Sequence, residues 1–177
     1  MKKQVSQLTG LFIRYVIILV AGLGNLYILY KLLKPLTIHA VAALMSLFTH
    51  ISISDNLIIS ERVIIEIIPA CVAGSAYYLL LILVLATPKI NLSKRIKILA
   101  FTFLALFILN IARIIILAST TSSTYFHATH LIFWYFISTI FVAGIWIASV
   151  RLFKIKSTPI YDDLKFLYKL IKSKKKK

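Results

Sequence analysis

Cys71, Arg113 and His130 are the residues whose types could together carry out a reaction. Cys71 is the one cysteine of the chain and follows Pro69 at the start of an apolar stretch. A thiolate attacks carbonyl carbons, and an imidazole can take up and return the proton near neutral pH. A guanidinium stays charged in a partly desolvated site and can stabilise a thiolate or an oxyanion. The three side chains therefore suit thiol-dependent acyl transfer.

Each of these residues also has an ordinary interpretation. A lone cysteine in an apolar segment behaves as a small hydrophobic residue, and a histidine at a membrane interface can be a simple anchor. Arg113 lies inside an apolar run, where a charged side chain usually faces a partner or a water-filled cavity. Asn110 lies one helical turn before Arg113 and could orient the arginine or the thiol by hydrogen bonding.

The composition indicates an integral membrane protein. Hydrophobic residues make up 60% of the 177 residues, above the roughly 45–50% of soluble domains, so the excess must face lipid. About 20 apolar residues are needed for one crossing, which leaves room for four to six spans. We expect an all-α polytopic bundle of about five transmembrane helices over residues 1–152, followed by a basic cytoplasmic tail over 153–177.

Five apolar segments account for the expected spans. The second contains His39 and His50 and is less apolar than the others, so it is either a short span or an interfacial helix; we favour a span. Between 54 and 69 the sequence is rich in β-branched residues and interrupted by charges, which predicts a short extended external segment before Cys71. The predicted spans are Leu8–Tyr30, Leu36–Ile53, Ala70–Ala86, Ile96–Ala118 and His130–Val150.

The distribution of basic residues predicts the orientation. The chain has 21 basic and five acidic residues and a formal charge of +16. The connection 87–97 contains four basic residues, whereas 119–129 contains no charged residue, so the first is expected inside and the second outside. The basic tail is then cytoplasmic and interacts with anionic lipids, which explains the charge better than nucleic-acid binding. The side of the N-terminus depends on whether 36–53 crosses.

This orientation brings the three candidate residues to one membrane surface. Cys71 begins its span at the outer end, and His130 opens the last span from outside. Arg113 lies five residues before Ala118, which is about 7.5 Å along a helix, and its long side chain can cover most of that depth. We therefore predict a shared site at the extracytoplasmic surface of the membrane.

The order and spacing of these residues resemble the archaeosortase/exosortase family of membrane cysteine transpeptidases. The resemblance rests on Cys71-Val72-Ala73-Gly74 before one span, Asn110-Ile111-Ala112-Arg113 within the next, and His130-Leu131-Ile132-Phe133 opening the last. It implies a protease that cleaves C-terminal sorting signals of exported proteins through a thioacyl intermediate and transfers them to a lipid or other acceptor. Its protein substrates end in a short motif, a transmembrane helix and a basic tail. By this resemblance Cys71 is the nucleophile, Arg113 the charge stabiliser and His130 the third catalytic residue.

The chain differs from the family pattern at two places. The glycine that often stands two places after the cysteine is replaced by Ala73, and Gly74 follows one place later. A glycine often found shortly after the histidine is also missing. His127 remains an alternative to His130, and no cofactor and no metal are expected. The competing hypothesis is a non-enzymatic membrane protein, a small transporter subunit or assembly factor, in which Arg113 pairs with Glu66 or an anionic substrate.

Overall fold

The structure is a computed structural model that describes residues 2–61, 63–120, 131–132 and 138–174. It is mainly helical, with a small antiparallel sheet between the first two long helices. In chain order the elements are α1 Lys2–Met45, β1 Ile51–Ser54, β2 Leu57–Ser60, β3 Ile64–Glu66, α2 Pro69–Val72, α3 Gly74–Leu85, α4 Leu92–Ser119, α5 Ser138–Leu152 and α6 Tyr161–Lys174.

Two of the described helices are long and apolar enough to cross a membrane, Gln7–Met45 and Leu92–Ser119. Pro69–Leu85 and Thr139–Leu152 are apolar but shorter. The exposed surface of α1 is itself apolar; Phe12 and Leu32, for example, are each 69% exposed. Because contiguous exposed apolar surface is unfavourable in water, these helices indicate a membrane protein. The structure does not confirm five separate spans.

Helix α1 replaces the two spans expected at 8–30 and 36–53. The predicted end near Pro35 is wrong, because the helix continues through this proline to Met45. The chain instead bends at 23–26, where Gly24, Asn25 and Leu26 have left-handed backbone angles. Glycine and asparagine adopt this conformation more readily than other residues, so the break lies at the Gly-Asn pair.

The extended structure before Cys71 is a three-stranded antiparallel sheet in the order β1-β2-β3. It begins earlier than predicted, because Ile51–Ser54 pairs with Leu57–Ser60 instead of extending the preceding helix. Asp55 has a positive φ of 51° in the tight turn that joins the first two strands. Ile58 lies opposite Ile65 and is fully buried, so one face of the sheet covers the helices.

The hydrophobic core is formed by the second half of α1, by α3, α4 and α5, and by the inner face of the sheet. Tyr77 of α3 contacts Phe103 of α4 edge to face, with ring centroids 5.2 Å apart. The buried apolar side chains at its centre are Val41, Ile58, Ile67, Val72, Tyr77, Leu80, Leu106, Ile111, Ile114, Val142 and Ile145.

Two glycine–tyrosine contacts bring α1 against α3. The ring of Tyr30 lies over Gly74, and a Cβ at position 74 would be 2.6 Å from Tyr30 Cε1. In the other direction Tyr78 lies over Gly22 and donates a hydrogen bond to the carbonyl of Ile18 at 3.1 Å. The absence of a side chain at both glycines therefore sets the distance between the two helices.

Two arginines lie at the C-terminus of α3 and hold together the end of the bundle that carries the basic connection 87–97. We refer to it as the basic end. Arg14 donates to the Leu85 carbonyl at 2.8 Å and forms an ion pair with Asp163 at 2.9 Å. Arg95 donates to the same Leu85 carbonyl and to those of Val84 and Thr87. The last carbonyls of a helix lack partners within the helix and attract cations, so both guanidinium groups serve as caps.

The structure differs from the expected basic tail over 153–177. Arg14 of α1 forms an ion pair with a residue of this segment. The segment that was expected to be a tail contains a helix, α6, which the buried Asp163 attaches to α1. The apolar residues of α6 that face the bundle, Phe166, Leu167 and Leu170, are half-buried.

A methyl group at position 74 should weaken the α1–α3 contact. We expect Gly74→Ala to lower the free energy of unfolding by about 1–3 kcal/mol, because the added carbon overlaps the Tyr30 ring. Gly144→Ala is the matched control: no atom of the described residues lies within 4 Å of its added Cβ, and it should be neutral or stabilising by up to about 1 kcal/mol. Thermal unfolding in detergent measures both, and an equal effect of the two changes contradicts the packing assignment.

The ion pair between Arg14 and Asp163 should anchor α6. Asp163→Asn removes the charge of a buried partner and should destabilise the fold by about 1.5–3 kcal/mol. Asp162→Asn is the control, since this neighbouring carboxylate accepts a longer hydrogen bond of 3.3 Å from the Thr158 amide and should change stability by less than about 0.5 kcal/mol. Limited proteolysis after residue 152 should release α6 faster from the first variant only.

Candidate functional site

Cys71 is the third residue of α2, which is a single helical turn, and its side chain is partly exposed. The predicted helix start at Pro69 is confirmed, but the expected continuous helix from Ala70 to Ala86 is wrong. Ala73 has a left-handed backbone with φ 57° and ψ 37° and separates α2 from α3. The dipole of a long helix therefore does not act on the thiol, and the Cys71 amide already donates to the Ile68 carbonyl at 2.9 Å.

Ala73 explains one departure from the family pattern in physical terms. The residue two places after the cysteine must adopt a positive φ, which glycine does freely and alanine only with strain. Gly74 cannot substitute for it, because Gly74 begins α3 and receives the Tyr30 ring. Position 73 thus requires a positive φ, and position 74 requires the absence of a side chain. In this chain glycine occupies only position 74.

Helix α4 contacts the cysteine turn through the two polar residues that the sequence singled out. Asn110 is 2% exposed and donates from Nδ2 to the Cys71 carbonyl at 2.8 Å. Arg113, 7% exposed, donates from Nη2 to the Ala70 carbonyl at 3.4 Å. The expected shared helix face is confirmed.

The sulfur of Cys71 lies at the outer edge of β3. Its Sγ is 3.9 Å from the Glu66 carbonyl oxygen. The backbone groups of residues 63 and 67 bond across to β2, so the alternate residues Ile64 and Glu66 direct their N–H and C=O groups away from β2. Among the described strands nothing pairs with this edge, and Ile64 is 66% exposed. An extended peptide added here would pass the thiol.

A cavity of about 600 Å³ leads along the bundle to Arg113. One wall is formed by the small residues of α2 and α3, and the other by α5 with Trp146 at its side. The small residues divide into two sets: Gly74 faces α1, whereas Ala70, Ala73, Ser75 and Ala76 line this cavity. The cavity is mostly apolar, and its charged group among the described residues is Arg113.

A second cavity, of about 640 Å³, lies between the end of α1, the sheet and the end of α4. Its lining includes His50, Glu61 and Ser119. His50 was assigned no catalytic role from the sequence, because it lies in a segment that reads as a span. The structure places this histidine between α1 and β1, in the lining of a cavity that reaches the end of α4.

The two histidines named from the sequence, His127 and His130, lie outside the described residues, as does the start of the predicted last span. The described part of the chain brings together Cys71, Asn110 and Arg113. Within that part, no group of three metal-ligating side chains is present. The sequence predicted the extended segment before Cys71, but which edge of β3 is left unpaired is decided by the pairing of β3 with β2.

Comparison of the chain with protein-family models, with curated proteins and with solved structures finds no match. The class of protein that the described structure defines is a membrane-associated helical bundle with a small sheet.

The strained backbone at Ala73 gives a direct test of the cysteine turn. Ala73→Gly should raise the free energy of unfolding by about 0.5–1 kcal/mol, because glycine adopts this conformation without a clash of Cβ. Ala70→Gly is the matched control within α2 and should lower it by about 0.5–1 kcal/mol, since a helical glycine loses more backbone entropy. Thermal unfolding distinguishes the two signs. A loss of stability in Ala73→Gly would contradict the left-handed assignment.

Proposed function

We propose that this protein is a membrane-embedded cysteine peptidase and transpeptidase of the archaeosortase/exosortase type. The observation that carries the proposal is the contact of Asn110 and Arg113 with consecutive carbonyls of the cysteine turn, at 2.8 and 3.4 Å. Two polar residues of a long apolar helix thus converge on the backbone of the turn that carries the one thiol of the chain. Polar groups in apolar helices usually mark functional sites.

The proposed reaction begins with proton transfer from the Cys71 thiol to His130. The thiolate attacks the carbonyl carbon of the scissile peptide bond, and Arg113 stabilises the oxyanion of the tetrahedral intermediate. The intermediate collapses to a thioester as the leaving amine takes the proton from His130. An amine or hydroxyl acceptor, such as a lipid headgroup, then attacks the thioester and gives its proton to His130, and the Cys71 thiolate leaves.

The cavity and the strand edge suit the substrate that the resemblance implies. A protein that ends in a short motif, a transmembrane helix and a basic tail has an extended part and an apolar helical part. The extended motif fits the outer edge of β3, where backbone groups accept a further strand. The apolar helix fits the cavity lined by Ala70, Ala76 and Ala143, because small residues allow close helix contact.

The proposed orientation follows from the charges. The basic connection 87–97 and the helix α6 lie inside, and the protein crosses the cell membrane several times with Cys71 on the extracytoplasmic side. The inner half of α4 contains the buried Thr102, whose hydroxyl donates to the Leu99 carbonyl of its own helix. A local hydrogen bond of this kind contributes no polar pathway, so the described residues favour an enzyme with a site on one side over a transporter.

Processing of a co-expressed substrate tests the proposal. The substrates are exported proteins of the source cell that end in a motif, one apolar helix and a basic tail, each with a C-terminal tag. We expect Cys71→Ala, Arg113→Ala and His130→Ala to lower tag removal by at least about 100-fold, while His127→Ala and His50→Ala retain it. Added hydroxylamine should intercept the thioester and give a product with a C-terminal hydroxamate, seen by mass spectrometry.

Two controls accompany these variants, one for loss of folding and one for which histidine acts as the base. Thermal unfolding of every variant shows whether a loss of processing comes from loss of structure. Full processing by Cys71→Ala rules out Cys71 as the nucleophile. Equal processing in cells without the protein leaves the non-enzymatic alternative, in which the thiol has no reaction to perform. Loss in His127→Ala or His50→Ala, with His130→Ala active, transfers the role of base to that histidine.

A further inference from the structure

The loops at the basic end of the bundle form a second site that is separate from the cysteine. The connection between α3 and α4 and the connection between α5 and α6 enclose a cavity of about 240 Å³. Four lysines line it: Lys89 from the first connection, Lys94 from the first turn of α4, and Lys154 and Lys156 from the second connection. No carboxylate is present in its lining among the described residues. The cavity therefore concentrates positive charge.

The two loops are fixed to each other despite this repulsion. Ser157 Oγ donates to the Pro88 carbonyl at 2.7 Å, and the Ile160 amide donates to the Ala86 carbonyl at 2.9 Å. These hydrogen bonds bring segments about 70 residues apart in sequence into one wall. Like charges held together in this way are unfavourable unless an anion lies between them.

The backbone at the cavity also favours a bound anion. Lys89 and Lys154 both have a positive φ, of 61° and 47°, which is uncommon for long side chains. Helix α4 begins at the cavity, and its first turn contains Lys94 and no acidic residue. A cation at the positive end of a helix is unfavourable, and an anion bound there offsets it.

The two acidic residues at the start of α6 do not line the cavity. Asp163 forms the ion pair with Arg14, and Asp162 accepts from the Thr158 amide. The four lysines therefore share the lining with no carboxylate of the described residues, and their charge suits a ligand from outside the chain. An oxyanion with several acceptor oxygens, such as a phosphate group, matches four ammonium donors.

Helix α6 indicates where the phosphate comes from. Its outward face carries an apolar stripe of Tyr161, Leu164, Tyr168 and Ile171, each about 60% exposed. Lys165, Lys169 and Lys172 lie beside this stripe and are also exposed. An apolar stripe bordered by lysines is typical of a helix that lies in the surface of a membrane with anionic lipids. Since α6 follows the cavity directly, the cavity lies at headgroup level.

We propose that the cavity between the two connections binds the phosphate headgroup of an anionic phospholipid. The four lysines hold the phosphate oxygens, and the apolar stripe of α6 lies among the neighbouring acyl chains. The site is independent of the proposed transpeptidase activity, because it uses residues at the opposite end of α3 and α4 from Cys71. It fixes the depth and orientation of the bundle in the membrane.

Binding of lipid to the full-length protein tests this proposal. The protein is purified in a neutral detergent, stripped of lipid and titrated with dioleoyl phosphatidylglycerol or dioleoyl phosphatidylcholine, with thermal unfolding and native mass spectrometry as readouts. We expect the anionic lipid to bind and raise Tm, and the zwitterionic lipid to have little effect. Replacement of Lys89, Lys94, Lys154 and Lys156 by glutamine should weaken phosphatidylglycerol binding at least about tenfold.

The matched control removes the same charge elsewhere. Glutamine at Lys2, Lys31, Lys34 and Lys97, which lie neither in the cavity nor on α6, should change the affinity by no more than about twofold to threefold. Equal loss in the two variants overturns the site, since total charge then accounts for the binding. A double variant, Lys89→Gln with Lys154→Gln, gives the same comparison if the quadruple variant unfolds.

Inorganic phosphate distinguishes a lipid headgroup from a free phosphate ion as the ligand of this cavity. It should compete with phosphatidylglycerol but raise Tm much less, because it lacks the acyl chains that contact α6. If phosphate alone raises Tm as much as the lipid does, the site binds a free anion and the lipid assignment is overturned. Loss of processing in Cys71→Ala has no bearing on either result, so failure of one proposal is distinguishable from failure of the other.

Discussion

The hydrogen bond from Asn110 to the Cys71 carbonyl is the contact on which the arrangement of the candidate site depends. Asn110 lies in the middle of an apolar helix and is almost fully buried. A buried amide without a partner is unfavourable by about 1–3 kcal/mol, so α4 is held in the position where this carbonyl satisfies it. The same position places Arg113 one turn further on, beside the neighbouring carbonyl.

This contact requires that α2 be a separate short turn. If the helix ran without a break from Pro69 to Leu85, the carbonyls of Ala70 and Cys71 would be used within the helix. The left-handed Ala73 interrupts the series of hydrogen bonds, and the freed carbonyls accept from α4 instead. Strain at one residue thus makes two backbone acceptors available.

The two ends of the bundle use charge differently. At the end with Cys71, one buried guanidinium lies among apolar walls and a sheet edge. At the other end Arg14 and Arg95 share the last carbonyls of α3, and a surrounding set of lysines has few acids to neutralise it. The first arrangement suits stabilisation of a localised negative charge during a reaction, and the second suits a surface of anionic headgroups.

The sequence by itself determined the class of protein, because an excess of apolar residues admits no other solvent than lipid. It also located α4, since a stretch of about twenty predominantly apolar residues is long enough to cross a membrane as one helix, and it selected Asn110 and Arg113 as unusual within that helix. The extended segment before Cys71 followed from its β-branched residues. The alternation of polar and apolar residues at 51–54 contained the signal for β1, but the preceding apolar run concealed it.

Only the tertiary structure decided where the helices break and what the polar groups contact. Pro35 does not end α1, whereas 23–26 bends it, because a helix packed in a bundle or in lipid retains its hydrogen bonds around a proline. The pairing of Arg14 with Asp163, the two glycine–tyrosine contacts and the hydrogen bond from Asn110 to the Cys71 carbonyl all join residues distant in the chain. Such contacts depend on how whole elements pack, and local sequence preferences do not specify that packing.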